Sequence, residues 1–152
     1  MQIVLVDEPF SGPVAAALIK EIQQEYVVRY GGQDETPVDP AEFGPERGGA
    51  FLVAFADGVA VGCVGLRRHY EAIAEVKRMY VRPTHRRQGL GRVLLRAVEE
   101  RARSLGYTRL VLETGERQPE AIALYTADGY RPLAGFGHYR CQPGSLAFAK
   151  DL

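Results

Sequence analysis

The chain has 152 residues, 46% of them hydrophobic and 25% charged, with nineteen basic and nineteen acidic side chains and a formal net charge of zero. That length suits one domain burying roughly 68–70% of its unfolded surface. Zero net charge removes bulk attraction to nucleic acid or to an anionic membrane, and no apolar run approaches the roughly 20 residues of a membrane span.

Taken in order, the residues from Gln2 to Val6 read as a short strand. Met1–Glu8 has no basic region, so it does not read as a signal peptide, and a cytoplasmic protein is the default expectation. Ser11 can cap a helix and Pro13 suits its first turn. Val14, Leu18, Ile22 and Tyr26 then mark one helical face, and Gly31-Gly32 ends it. Gln33 to Pro45 is a polar, proline-bearing loop with an acidic Asp34-Glu35 pair and one helical turn near Ala41–Phe43. Phe51–Ala56 and Val59–Leu66 read as a hairpin about Asp57-Gly58, and Arg67–Ile73 as a polar connection.

A strand near Ala74–Val81 follows, then a basic loop with two glycines, then Leu90, Val93, Leu94, Ala97, Val98, Ala102 and Leu105 at helical spacing up to Gly106. Arg96–Glu100 and Glu99–Arg103 stand four apart and read as solvated pairs. Thr108–Glu113 is the next strand, Pro119 to Gly129 a second helix, and Tyr130–Leu133 and Ser145–Lys150 two last strands around a glycine- and aromatic-rich loop. The predicted class is α/β (α+β): a mixed, mostly antiparallel sheet flanked by helices. Cys63, in an apolar run, reads as a buried thiol. Cys63, Cys141 and the histidines His69, His85 and His138 have no metal-ligand or triad spacing.

The strand, glycine loop and helix around Gly89 form an anion-binding arrangement. The first N–H groups of a helix lack intrahelical partners, and the helix dipole adds a positive field worth about 0.3–1 kcal/mol to an anion. Glycine lets those groups approach a phosphate closely, and Arg86, Arg87 and Arg92 add charge. A nucleotide P-loop would need Lys-Ser/Thr after its second glycine, where Arg92-Val93 stands. A dinucleotide fingerprint would need a third glycine, where Leu94 stands.

What remains, Arg86-x-x-Gly89-x-Gly91, resembles the acetyl-coenzyme A signature of the GNAT N-acetyltransferases. The likeness continues through Leu110-Val-Leu-Glu-Thr and Ala121-Ile-Ala-Leu-Tyr-Thr-Ala-Asp-Gly-Tyr130, and spans roughly Phe51 to Lys150. It implies acetyl transfer from acetyl-coenzyme A to a primary amine by direct attack. In that family the fourth and fifth strands splay, and the pantetheine arm pairs with fourth-strand backbone, here Met79, Tyr80 and Val81. Phosphates then lie on Arg86, Arg87, Gln88, Gly89, Leu90, Gly91 and Arg92. Glu75 stands where histone acetyltransferases of the family carry a catalytic glutamate, so it is the candidate base for the acceptor's proton. The alternative is a strand carboxylate paired with a neighbouring Lys or Arg. Tyr125, in the Leu-Tyr pair, is the candidate acid for the leaving thiolate, with core packing as its alternative. Gln118 replaces a common cofactor-contacting Asn. The acceptor pocket falls on Tyr30–Phe43 and Gly135–Gly144, which nominates Tyr30, Asp34, Glu35, Phe136, His138 and Tyr139. A small-molecule amine or amino-acid derivative is the first expectation for the acceptor and a protein amine the second. A coenzyme A-binding module without turnover is the competing class, and a homodimer is implied only by resemblance.

Overall fold

The computed structural model describes all 152 residues. Strand β1 (Ile3–Asp7) leads to helix α1 (Pro13–Tyr30). Pro13 opens α1, but its capping residue is Gly12 and no side chain caps it, so Ser11 does not play the expected part. Gly31 closes it with a left-handed φ of 79° and an N–H bond to Val27 O at 2.9 Å. Single 3₁₀ turns at Pro40–Phe43 and Pro45–Arg47 punctuate the following loop.

Strands β2 (Ala50–Ala56), β3 (Val59–Tyr70) and β4 (Ile73–Val81) then form a meander. Asp57 and Gly58 both have positive φ, as a tight hairpin requires. β3 runs four residues further than the polar composition of Arg67–Tyr70 suggests. Arg67 pairs in register with Glu75 and Arg68 with Ala74, so cross-strand partners carry the strand to a turn at Glu71. Helix α2 (Leu90–Ser104), strand β5 (Arg109–Gly115), helix α3 (Pro119–Ala127) and strands β6 (Arg131–Leu133) and β7 (Ser145–Asp151) complete the chain.

The seven strands lie in the order β1-β2-β3-β4-β5-β7-β6. Only β4 and β5 run parallel, and they pair only over Ile73–Glu75 and Arg109–Val111. Beyond Glu75 and Val111 the two strands separate while β5 stays paired with β7 to Gly115. Two hydrophobic cores hold the sheet. On one face α2 and α3 pack Leu94, Leu95, Val98 and Tyr125 against Val64, Leu66, Leu110 and Leu112. On the other, α1 packs Leu18 and Ile22 against Phe43, Phe51, Val53 and Cys63. Each such aliphatic or aromatic side chain contributes about 1.5–3 kcal/mol on burial. The Cys63 thiol is fully buried, as expected, and burial pushes its pKa up.

The outer face of α2 departs from the i,i+4 reading. Glu99 is buried, accepting from the Tyr130 hydroxyl at 2.7 Å and the Lys150 ammonium at 3.1 Å. Arg103 turns instead to Glu100, and Arg96 toward Asp128. Tyr130, just before β6, and Lys150 on β7 outcompete a neighbour on the helix, because the buried carboxylate gains more from them.

Candidate active site

The loop after β4 is built to receive an anion. Arg86 N–H bonds to Pro83 O and Val93 N–H to Gly89 O, but the N–H groups from Arg87 through Arg92 have no acceptor within the chain. Arg87 and Gly89 both take left-handed dihedrals, at φ 63° and 80°. Leu90 is buried and anchors the helix start, whereas Gln88 and Gly89 are exposed. The three arginines then part company. Arg86 donates to Val81 O at 2.8 Å and to Glu25 at 2.9 Å, which ties the loop to α1. Arg92 is held by Asp128. Arg87 is exposed and has no carboxylate partner, so among the three it is the one available to a phosphate.

The gap itself exposes the inner edge of β4. Arg82 N–H bonds to Val61 O on β3. Backbone groups alternate sides along a strand, so Val81 directs its own away from β3, where its carbonyl accepts from Arg86 Nε. Between Cys63 and Gly65 the β3–β4 register shifts by a bulge, and Arg78 sits there at φ 56°. Gln118, at the start of α3, donates to the Tyr30 hydroxyl at 3.4 Å and lines a small pocket with Met79, Tyr80, Glu25 and Tyr26. Tyr125 projects from α3 beside Tyr130 and Phe148. It is buried, with no hydrogen bond to its hydroxyl, and burial, followed by the charge on Tyr26, raises its pKa.

On the α1 side the gap opens on a cavity of about 440 Å³. Tyr30, Asp34, Glu35 and Tyr139 all line it. Tyr139 accepts the Glu35 N–H on its hydroxyl at 2.6 Å, so the two loops close on each other. Phe136 and His138 lie outside the lining. Phe136 packs on His69 with ring centroids 4.9 Å apart, and His138 packs against Tyr139. Asp34 is not a free acidic group. It accepts from Thr36 N–H and Oγ and pairs with Lys77 and Arg78. Burial alone would raise its pKa, but Lys77, Arg78 and the two Thr36 bonds hold it at about 2.

Glu75 takes the second of its two expected placements, a strand carboxylate paired with an arginine. Its carboxylate is buried and accepts from Arg67 Nε at 2.9 Å, and neither pocket includes it. Arg67 is further bound to Pro37 O and Glu42, so the pair belongs to a structural network. The residue that reaches the cavity is Glu113. Continuing the register from Glu75 opposite Val111 places Lys77 and Glu113 on the two lips of the gap, facing the same side. Both line the cavity. Glu113 Oε2 is buried and has no hydrogen-bond partner. A Cβ at Gly137 would lie 2.0 Å from Glu113 Oε1, so the loop before β7 packs directly over this carboxylate. Burial pushes Lys77 below the usual lysine range, opposed by the Asp34 and Glu75 charges. Nothing in the Leu110–Thr114 pattern marks Glu113 apart from an ordinary strand residue. Only alternation, with Leu110 and Leu112 facing one core, sends it to the opposite face.

Residues 16–130 match the family model described as the Acetyltransferase (GNAT) family. The chain belongs to the GNAT acetyltransferases. Its acetyl donor is therefore acetyl-coenzyme A, and the unpartnered N–H row from Arg87 to Arg92 fits that molecule's phosphates. The IAA acetyltransferase of Azospirillum brasilense is 44% identical over 103 residues, which is 67% of each chain. The N-acetyltransferase YjgM of Escherichia coli is 31% identical over 142 residues, 86% of this chain and 84% of that one. Human N-acetyltransferase 8 is 37% identical over 91 residues, and that match covers only 40% of the human protein. Among solved structures, one from Klebsiella pneumoniae assigned as an acyl-CoA N-acyltransferase superposes with TM-score 0.84 at 33% identity, covering 99% of this GNAT chain and 98% of that one. The PaiA N-acetyltransferase of Thermoplasma acidophilum, solved with coenzyme A, shares the fold at TM-score 0.76, full coverage of both chains and 16% identity. No helix of this GNAT chain is long and apolar enough to cross a membrane.

Proposed function

We propose that this acetyltransferase acts on the primary amine of a small molecule or amino-acid derivative, by direct attack while donor and acceptor are both bound. Acetyl-coenzyme A supplies an activated acyl group in the gap between β4 and β5. The observation that carries the reading is Glu113: a buried, unpaired carboxylate oxygen at the lip of that gap, on the wall of a cavity of small-molecule size. A buried carboxylate oxygen without a donor is costly, and an acceptor's ammonium supplies one. The cavity wall carries four carboxylates, Asp34, Glu35, Glu113 and Glu116, against two cations, Lys77 and Arg117, which favours a cationic guest.

Most amines are protonated at neutral pH, so the ammonium must lose a proton before it attacks. Glu113 accepts that proton, a role worth about 10²–10⁴-fold in rate. On the far side of the gap, Tyr125 stays protonated because burial disfavours its phenolate, and it donates to the leaving sulfur. Lys77 and Tyr139 frame the acceptor. The test is release of free thiol from acetyl-coenzyme A against a panel of amines, amino-acid derivatives and a lysine peptide. The reading expects a small amine to stand out and Glu113→Gln to lose most of that rate. No thiol release above the water background with any amine would sink it, and preference for the peptide would move the acceptor to a protein amine.

A further inference from the structure

Asp34 and Arg78 form a buried ion pair beside the cavity. Arg78 occupies the β4 bulge at φ 56°, a conformation uncommon for a residue with a side chain. Its guanidinium is nonetheless drawn inward, is almost fully buried and is bonded to Asp34. Arg78 Nε is left without a partner, so the side chain is not there to satisfy itself. Asp34 is in turn anchored from several directions. Its N–H bonds to Gln23 Oε1 at 2.7 Å and its carbonyl accepts from Gln23 Nε2 at 3.2 Å, both on α1, while Thr36 grips the carboxylate.

The Arg78–Met79 peptide is what these contacts converge on. The Cys63 thiol donates to Arg78 O at 3.3 Å. In a trans peptide the N–H points opposite to the C=O, and no peptide here is cis, so Met79 N–H is aimed away from β3 into the gap. That N–H is the donor available to a carbonyl oxygen gaining negative charge there.

We propose that Asp34 is a positioning residue: through Arg78 it locks the β4 bulge so that Met79 N–H faces the donor's carbonyl. This rests on the acetyl-transfer reading and gives Asp34 a task other than holding the acceptor. The low pKa of Asp34 keeps the pair ionised across any practical assay range. Tyr26, Lys77 and Tyr139 also face Asp34: burial raises the pKa of both tyrosines, which stay neutral, and lowers that of Lys77, opposed by the Asp34 charge.

The test uses Asp34→Asn and Arg78→Gly in the full chain. Glycine accepts φ 56° freely, so Arg78→Gly removes the tie without adding backbone strain. Two readouts are needed. One is the infrared stretch of carbonyl-labelled acetyl-coenzyme A bound to each variant, which falls in frequency when the carbonyl accepts a hydrogen bond. The other is steady-state kinetics with the best amine from the panel. The expected result is a lowered stretch in the parent that returns toward the free-donor position in both variants. With it, kcat should fall about 10–100-fold while the amine KM stays put. A parental stretch in both variants, or no lowered stretch in the parent, overturns the proposal. A parental stretch with a raised amine KM for Asp34→Asn would make Asp34 an acceptor contact. Should Asp34→Asn fail to fold, Arg78→Gly decides alone. If no amine in the panel is acetylated, the functional reading falls, but the infrared comparison still decides the positioning role.

Discussion

Replacing Gly89 should weaken coenzyme A binding for a reason confined to the backbone. Gly89 caps α2 at φ 80° and ψ 6°, and a Cβ there would meet nothing within 4 Å. Space is therefore not the constraint. An L-residue in this conformation costs about 1–2 kcal/mol, and a β-branched one more. In the free variant the exposed loop relaxes out of that conformation and the protein keeps its stability. Binding then has to restore it, so the cost falls on affinity. At 1.4 kcal/mol per tenfold, Gly89→Ala should weaken binding by about 5–30-fold, and Gly89→Val further. Gly91 in the same motif is constrained differently. It lies inside α2, and its Cβ would approach Leu124 Cδ2 at 3.1 Å. Alanine there gains about 0.5–1 kcal/mol of helix stability, which offsets that tight contact. Gly91→Ala should therefore bind coenzyme A nearly as the parent does. Calorimetric titration of coenzyme A into each variant measures the affinities, and thermal melts confirm folding. Parental affinity in Gly89→Val would show that the N–H row does not hold the phosphates.

Tyr125→Phe keeps the ring packed against Tyr130 and Phe148 and deletes only an unbonded hydroxyl, so stability and coenzyme A affinity should hold while turnover falls. Parental turnover across pH would leave Tyr125 as a packing residue. Glu75→Gln should lower the melting temperature by weakening the Arg67 pair, yet leave the acidic limb of the pH–rate profile where it is. A shift of that limb would return the base role to Glu75. Glu99→Ala strands the Tyr130 hydroxyl and the Lys150 ammonium and should cost about 2–3 kcal/mol, a fall of roughly 5–10 °C in Tm. An unchanged melt would mean that water replaces the carboxylate at no cost.

The sequence alone settled what depends on neighbours along the chain. Periodicity and breakers marked every helix and strand in their right order. The Arg86-x-x-Gly89-x-Gly91 spacing marked the anion loop, because its chemistry is that of a few consecutive N–H groups. The two segments that the family resemblance nominates, after α1 and before β7, do bring Tyr30, Asp34, Glu35 and Tyr139 to one cavity. Side-chain partners were not legible, since those are set across the sheet. Glu75 and Glu113 are both strand carboxylates, and nothing local distinguishes them. The parallel register of β4 on β5 and the point where it stops put Glu113 at the cavity, while the antiparallel register of β3 on β4 gave Glu75 to Arg67. In the same way Glu99 found Lys150 on β7 and Asp34 found Arg78 in the bulge. A buried charge takes whatever partner the fold brings within reach, because leaving it unpaired costs more than any pairing along the helix returns.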